Sequence, residues 1–366
     1  MPAGRSLDLP DFPWDRLRPH RRRAEQHADG LVDLSVGTPV DHTPERAREA
    51  LAAAADAPGY PQTHGTLALR EAVVGWLARR LGVTGMDPQA VLPTIGSKEL
   101  VAWLPTLLGL GPGDLVVHPS LAYPTYDVGA RLAGAEPLAT DSLTSLGPRR
   151  VSLLWLNSPA NPHGRVLPAE HLAKVVAWAR ERGVVVASDE CYVEYGWEAR
   201  PVSVLDEAVC AGSYEGVLAV HSLSKRSNLA GYRAGFVTGD PDLVAGLLEV
   251  RKHAGMMVPA PVQAAAVAAL DDDEHVEDQR RRYAARRAML RPALEAAGLR
   301  VEHSEAGLYL WATADEPCWE TVARLAGLGV LVAPGDFYGP AGAGHVRVAL
   351  TATDERVAAA AERLAS

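Results

Sequence analysis

The sequence predicts an α/β fold with a mainly parallel sheet. Apolar runs of about five residues, in DLVVHPS, VSLLWLNSP and VVVASDE, alternate with helical segments such as PAEHLAKVVAWARERG. Runs that are apolar throughout, without in/out alternation, belong to strands covered by helices on both faces. Two more such runs, VLAVHS and AGFVTGD, bracket the polar connection SLSKRSNLAGYR within Gly216 to Asp240. At 366 residues the chain is long enough for two domains on length alone.

Taken in order, residues 1–30 are rich in Pro and Arg and read as an arm with a short helix. The cluster from Arg16 to Arg23 reads as a solvated helix face, with an anion site as the other reading. LVDLSVGTPV is apolar and breaks at Gly37, where a missing side chain lets a ligand approach the backbone. Thr43 is expected to cap a helix beginning at Pro44. Tyr60 lies in the turn-rich PGYPQTHG, before an amphipathic helix whose Leu69, Val73 and Leu77 share a face. In AVLPTIGSKELVAWLPTLL a strand passes through Gly96 and Ser97 straight into a helix, whose free backbone N–H groups suit a phosphate.

The alternation follows, with a helix after Tyr123, and leads to the lysine connection. Beyond 240, PDLVAGLLEVRKHAG and PAPVQAAAVAAL read as helices, and a longer one spans about His275 to Ala297, with DDDE at the end its dipole favours. Strands around GLYLWAT, GVLVAP and VRVAL, with helices between them, form a smaller α/β unit. The expected division is 1–43 as arm and part of the small domain, 44–270 as the large domain and 271–366 as the small C-terminal domain.

Composition narrows the function. A formal net charge of −9 argues against a nucleic-acid partner, because no broad excess of cations is present to replace counterions. The three cysteines, Cys191, Cys210 and Cys318, are widely spaced with no CxxC pair, so neither a disulfide framework nor a metal site is expected. MPAGRSLDLPDFPWD has no apolar leader core, and no run reaches membrane-spanning length, so a cytoplasmic protein is the expectation.

In parallel sheets ligands sit outside the carboxyl ends of the strands, and Tyr123, Asn157, Asn161, Asp189, Tyr192, Ser222 and Lys225 all fall there. Lys225 lies between Ser222, Ser224 and, eight positions on, Arg233. Two hydroxyls and a guanidinium suit a dianionic phosphate, and a lysine beside a phosphate ester suggests a Schiff base to pyridoxal phosphate. The plain alternative is a surface Ser/Lys/Arg loop. Distant motifs decide between them. NSPANPHGRV resembles an Asn-Pro-x-Gly turn, SDECY an Asp-x-x-Tyr strand end, SLSKRSNLAGYRAG a Schiff-base signature and HVRVALT a C-terminal arginine strand. Together, in this order, they resemble the class I/II aminotransferases of pyridoxal-phosphate fold type I over nearly the whole chain.

That resemblance implies a large domain with a mainly parallel seven-stranded sheet between helices and a smaller α/β domain. It implies Lys225 as the amine that holds the cofactor and moves the substrate proton. Asp189 would face the pyridine nitrogen, Tyr192 and Asn161 the phenolic oxygen, and Tyr123 the ring. Ser97, Lys98, Ser222, Ser224 and Arg233 would hold the phosphate, joined by Tyr60 from a neighbouring subunit of a homodimer. Arg347 would clamp the substrate α-carboxylate, with Asn161 and the Gly37 region closing over it. His163 stands where many members carry threonine, and its role is open.

Further segments, among them FPWD, LAYPTYDVGARLAG and VAPGDFYGP, resemble actinobacterial N-succinyl-diaminopimelate aminotransferases. This implies glutamate as donor and N-succinyl-2-amino-6-ketopimelate as acceptor, in lysine biosynthesis. Arg251, Lys252, Arg16 and Arg22 are candidates for the extra carboxylates. An aspartate, aromatic or prephenate aminotransferase, or a pyridoxal-phosphate lyase, stays open at this point.

Overall fold

The computed structural model describes residues 9–365, and the start of the expected arm, residues 1–8, lies outside them. Helix α1 (Arg18–Glu25) is followed by the two-residue strand β1 (Val32–Asp33), then α2 (Glu45–Ala53) and α3 (Leu67–Trp76). The alternating part runs β2 (Val91–Ile95), α4 (Ser97–Leu107), β3 (Leu115–His118), α5 (Thr125–Ala133), β4 (Glu136–Ala139), β5 (Val151–Asn157), α6 (Ala169–Arg180) and β6 (Val185–Asp189). After the one-turn α7 (Glu207–Cys210) come β7 (Val217–Ser222), the one-turn α8 (Leu223–Arg226) and β8 (Ala234–Gly239). Helices α9 (Pro241–Ala254), α10 (Ala260–Leu270) and α11 (Glu274–Ala296) lead to β9 (Arg300–Glu302), β10 (Tyr309–Thr313), α12 (Cys318–Gly327), β11 (Val330–Leu331), β12 (Ala333–Pro334), β13 (Val346–Ala349) and α13 (Asp354–Ala365).

Seven strands form the large sheet in the order β2-β8-β7-β6-β5-β3-β4. Only β8 runs antiparallel to its neighbours, so the sheet is mainly parallel, as the uniformly apolar strands require. One face is covered by α3, α6 and α10, where Val73, Trp76, Leu77, Leu172 and Ala265 are buried, and the other by α4, α5 and α9 through Leu100, Leu104, Tyr126 and Leu247. Burying a large apolar side chain contributes about 1.5–3 kcal/mol, so the expected stripe of Leu69 and Val73, continued by Leu77 just past the end of α3, fastens the helix firmly. A four-stranded antiparallel sheet, β12-β13-β10-β9, packs with α11, α12 and α13 around a core that includes Trp311, Val322 and Val348. Strand β1 pairs in parallel with β11 as a separate two-stranded sheet, which ties the N-terminal stretch to the C-terminal part of the chain.

Two local expectations need correction. Helix α2 begins at Glu45, and Pro44 occupies its cap with an extended ψ of 138° and no side-chain bond. Thr43 therefore caps nothing, and its hydroxyl donates instead to the Asn228 carbonyl at 3.4 Å. The arginines of 16–23 are also more than a wet helix face. Arg21 pairs with Asp33 and Arg16 with Asp336, so they fasten the N-terminal segment to the rest of the chain.

Three parallel strands end side by side at Asn157 (β5), Asp189 (β6) and Ser222 (β7). That edge, facing β13, is where the polar residues converge.

Candidate active site

Ser222 ends β7 and caps α8, its Oγ accepting from the Ser224 amide at 3.1 Å. The single turn of α8 delivers Lys225 to the wall of a cavity of about 490 Å³. Tyr195 Oη donates to the Lys225 carbonyl at 2.9 Å, so the backbone under the amine is fixed without engaging the amine itself. The structure separates the two serines of the motif. Ser224 lines the cavity, whereas Ser222 faces the enclosed space beside Trp76 and His221, and its hydroxyl serves as the cap.

The chain returns to β8 through Arg233, itself at φ 56°. Its Nη1 donates to the Ala230 carbonyl at 2.9 Å, and its guanidinium lies directly over Gly96. Gly96 has φ +72°, a backbone that favours glycine, and a Cβ there would sit 2.3 Å from Arg233 Nη2 and push the guanidinium out of its place. Helix α4 starts at the next residue, which aims the free amides of Ser97 and Lys98 at the same place. Lys98, Lys225 and Arg233 all line the cavity, and among the described residues none of the three forms an ion pair. Burial, followed by the charges of Arg233 and Lys225, holds the Lys98 amine below its usual range. Such a cluster of like charges at a helix start suits a multiply charged anion.

Across the cavity Asp189 ends β6, only 6% exposed. Its Oδ2 accepts from Tyr126 Oη at 2.8 Å and its Oδ1 from the Cys191 amide at 3.2 Å. Tyr126 is fully buried and stacked on Trp155, ring centroids 4.9 Å apart. Burial, reinforced by the Asp189 charge, pushes the Tyr126 phenol far above its usual value, so it remains a donor to the carboxylate. Tyr123, one helical turn before Tyr126, meets it edge-on at 5.9 Å and forms the adjoining wall, with its phenol pushed up by burial to about 12.

The third wall is built on β13. Arg347 is buried at 2% exposure, with no carboxylate in ion-pair range among the described residues. Arg347 is therefore not half of a buried structural ion pair among the described residues. Its Nη1 donates to Asn161 Oδ1 at 2.9 Å, its Nη2 to the Ser35 carbonyl at 2.8 Å, and its Nε has no partner. The guanidinium carbon lies 3.9 Å from the Tyr309 ring centre and 4.9 Å from that of Tyr338, which offsets part of the cost of burying the charge. The Asn161 backbone N–H donates in turn to Asn157 Oδ1 at 2.7 Å. Because arginine only donates, Asn161 must turn its oxygen toward it and keeps its NH₂ as a free donor. Tyr192 Oη lies 3.0 Å from Tyr309 Oη, and burial raises the Tyr192 phenol well above its usual range. Gly37 closes over this pair: a Cβ there would stand 2.1 Å from Tyr309 Oη.

Of the thirteen residues given a cofactor or α-carboxylate role by the resemblance, eleven line this one cavity, together with Asn157; Ser222 and Tyr60 do not. Tyr60 is 95% exposed. Arg251 is no mouth cation, since it is wholly buried and clamped on Glu99 at 2.8 Å, and Lys252 pairs with Glu249 on the surface. Sequence reasoning missed Tyr126, Tyr309 and Tyr338, and also Phe12 and Trp14 at the mouth. Only Tyr126 had a signal, its i+3 spacing from Tyr123 on the buried face of α5. Among the described residues no three His, Cys, Asp or Glu side chains could hold a metal ion, and no helix is long and apolar enough to cross a membrane.

The sequence model described as "Aminotransferase class I and II" matches residues 29–364. The chain is 66% identical over 357 residues to the 4-dedimethylamino-4-oxo-anhydrotetracycline transaminase OxyQ of Streptomyces rimosus, covering 98% of this chain and 99% of that one. It is 67% identical over 362 residues to "Probable aminotransferase Rv1178" of Mycobacterium tuberculosis, covering 99% of this chain and 87% of the relative. Among solved structures, a probable N-succinyldiaminopimelate aminotransferase of Thermus thermophilus superposes with a TM-score of 0.86 at 32% identity, covering 97% of this chain and 99% of that one. A fold-type I cavity with an unpaired lysine, a buried aspartate and a buried arginine, matched by relatives along almost its entire length, places this chain in the class I and II aminotransferases, a pyridoxal-phosphate-dependent family.

Proposed function

We propose that the enzyme exchanges an amino group between glutamate and N-succinyl-2-amino-6-ketopimelate, giving 2-oxoglutarate and N-succinyl-LL-2,6-diaminopimelate in lysine biosynthesis. A cytoplasmic homodimer sharing its active sites is the assembly in this reading, with Tyr60 crossing to the partner. The observation that carries amino-acid chemistry is Arg347, a buried guanidinium with an unpartnered Nε and no carboxylate beside it.

The residues fit the cofactor. Ser97 and Lys98 through their amides, Ser224 and Arg233 would hold its phosphate, Asp189 its ring nitrogen, Asn161 and Tyr192 its phenolic oxygen and Tyr123 its ring face, while Ser222 supports the lysine turn. When bound, pyridoxal phosphate supplies an electron sink for the Cα–H bond and a temporary seat for the amino group. Asp189, held by Tyr126 and the Cys191 amide, places a negative charge where that ring needs a protonated nitrogen. Arg347 would grip the substrate carboxylate and so orient the Cα–H toward Lys225, whose Nζ would carry the proton from Cα to the cofactor carbon within one half-reaction and in the opposite direction within the other. The Tyr309 and Tyr338 rings beside the guanidinium keep water from the arginine and strengthen its hold.

Diaminopimelate as the substrate is supported by the Thermus relative and by the 35% identity to the LL-diaminopimelate aminotransferase of Aquifex aeolicus over 97% of this chain. A ring ketone is the second reading, favoured by the 66% identity to the anhydrotetracycline transaminase. Purified holoenzyme assayed with 2-oxoglutarate against N-succinyl-LL-diaminopimelate, aspartate, phenylalanine and a polycyclic amine decides it. The first donor should exceed the others at least ten-fold in kcat/KM. Preference for another donor overturns the assignment, and turnover without any keto acid would indicate a lyase.

A further inference from the structure

Next to the catalytic cavity lies a second chamber of about 830 Å³, and Phe12, Trp14, Lys98 and Tyr123 border both. The chamber is mostly carbon, faced by Val128, Phe337 and Pro340 besides the shared aromatics. Trp14 sits 5.7 Å from Phe12 and 5.3 Å from Phe337, and Trp319 extends the cluster 5.8 Å beyond Phe337. Cations stand at two points. Lys98 Nζ lies at the junction, 6.0 Å from the Tyr123 ring and 5.8 Å from that of Phe12. Arg16 lies at the rim, over Trp319 at 4.7 Å and bonded to Asp336 at 3.1 Å. Asp336 Oδ2 also accepts from Trp319 Nε1 at 2.8 Å, so it keeps a donor if Arg16 turns toward a ligand.

We propose that this chamber receives the far end of the amino substrate and selects one whose remote nitrogen is acylated, an inference that rests on the diaminopimelate reading. With the α-carboxylate on Arg347 and Cα beside Lys225, the rest of a seven-carbon substrate passes Lys98 and Trp14, which border both cavities. A free remote ammonium would then approach Lys98, like charge against like charge, and lose its water against aromatic walls. An acyl group removes that charge, because an amide nitrogen is neutral. Its methylenes pack on Trp14 and Phe337, the remote carboxylate meets Lys98, and the carboxylate ending a succinyl arm reaches Arg16.

The test is the single-turnover amino half-reaction of the holoenzyme with glutamate, LL-diaminopimelate and its N-acetyl and N-succinyl derivatives, and with lysine and Nε-succinyl-lysine. The succinylated diaminopimelate should exceed the free diamine by about 100-fold in kcat/KM, and the acetyl form should fall between them. Val128→Trp, which fills the chamber, should cost capped donors at least ten-fold, mostly in KM, and leave glutamate within two-fold. Arg16→Gln should penalise succinyl but not acetyl donors, which keeps the question answerable if Val128→Trp fails to fold. Equal use of free and capped amines, or variants that slow glutamate as much as capped donors, overturns the proposal. If the wild type turns over no diaminopimelate derivative, the substrate assignment fails by itself. The lysine pair then judges the chamber: capped preferred and sensitive to Val128→Trp supports it, and no preference overturns it.

Discussion

Arg347 Nη1 and Asn161 Oδ1 meet at 2.9 Å, joining β13 near the end of the chain to the turn that follows β5. The contact fixes the arginine fork and the asparagine side chain together, so in the proposed reading one hydrogen-bonded unit would position both the substrate carboxylate and the cofactor's phenolic oxygen. Arg347→Lys keeps the charge and loses the fork. Hydrogen bonds to charged groups are worth about 1.5–3 kcal/mol each, so losing a two-pronged grip should lower kcat/KM for amino donors by about 10²–10³-fold, largely through KM. Steady-state kinetics on glutamate check this, and a loss below ten-fold would mean that the carboxylate is held elsewhere.

Tyr126 offers a sharper probe of the cofactor end, because its hydroxyl touches Asp189 and is too deep to reach a substrate. Tyr126→Phe removes one donor from a carboxylate that is otherwise held by the Cys191 amide. One charge-assisted bond corresponds to a fall of about ten-fold or more in kcat, with weaker retention of pyridoxal phosphate on dialysis. Far-ultraviolet circular dichroism should be unchanged, since the ring keeps its stack on Trp155. Wild-type kcat in this variant would show that the bond does not serve the ring nitrogen.

Legibility in the sequence followed distance along the chain. Lys225, Asp189 and Arg347 each lie inside a local signature, a strand end plus a fixed neighbour, so a few residues sufficed to find them. Tyr126 and Tyr309 act on partners 63 and 117 positions away, Asp189 and Tyr192, and no local pattern marks such pairs. Arg251 was misread for the same reason: its partner Glu99 is 152 positions distant, and without it a buried arginine looks like a free one. Thr43-Pro44 shows a propensity overridden by tertiary contact, since the threonine hydroxyl reaches Asn228 and the helix starts two residues on.

Lys225→Ala should separate catalysis from folding. The Lys225 carbonyl, not its amine, accepts from Tyr195, and Ser222 still caps the turn, so α8 keeps its supports. Turnover should drop by about 10⁴-fold or more, with loss of the visible absorbance of the lysine-bound cofactor, while the unfolding midpoint of the cofactor-free protein stays put. An unchanged absorbance would remove Lys225 from its assigned place.

Glu190, immediately after Asp189, makes a pH prediction that needs no substrate. It is buried behind α8, 3.6 Å from His221 Nε2, with Oε1 accepting from the Val204 amide at 2.7 Å. Burial pushes its carboxyl up to about 7 and pushes the His221 ring down to about 3. The folded chain keeps the Glu190 proton that the unfolded chain releases above about pH 4.5, so this group lowers stability as pH rises through roughly 4.5 to 7. His221 has the opposite sign: the unfolded ring takes up a proton below about pH 6.5 that the folded ring refuses, so its contribution is lost as pH falls toward 3. The two slopes oppose each other between about pH 4.5 and 6.5. Glu190→Gln retains an oxygen for Val204 and places an NH₂ toward His221, while removing the group whose cost grows with pH. Urea unfolding should therefore find the variant similar to wild type near pH 5 and more stable at pH 8, by up to roughly 3 kcal/mol. A variant that loses stability at pH 8 would mean instead that the ionised carboxylate is held favourably, with Arg226 lining the same enclosed space.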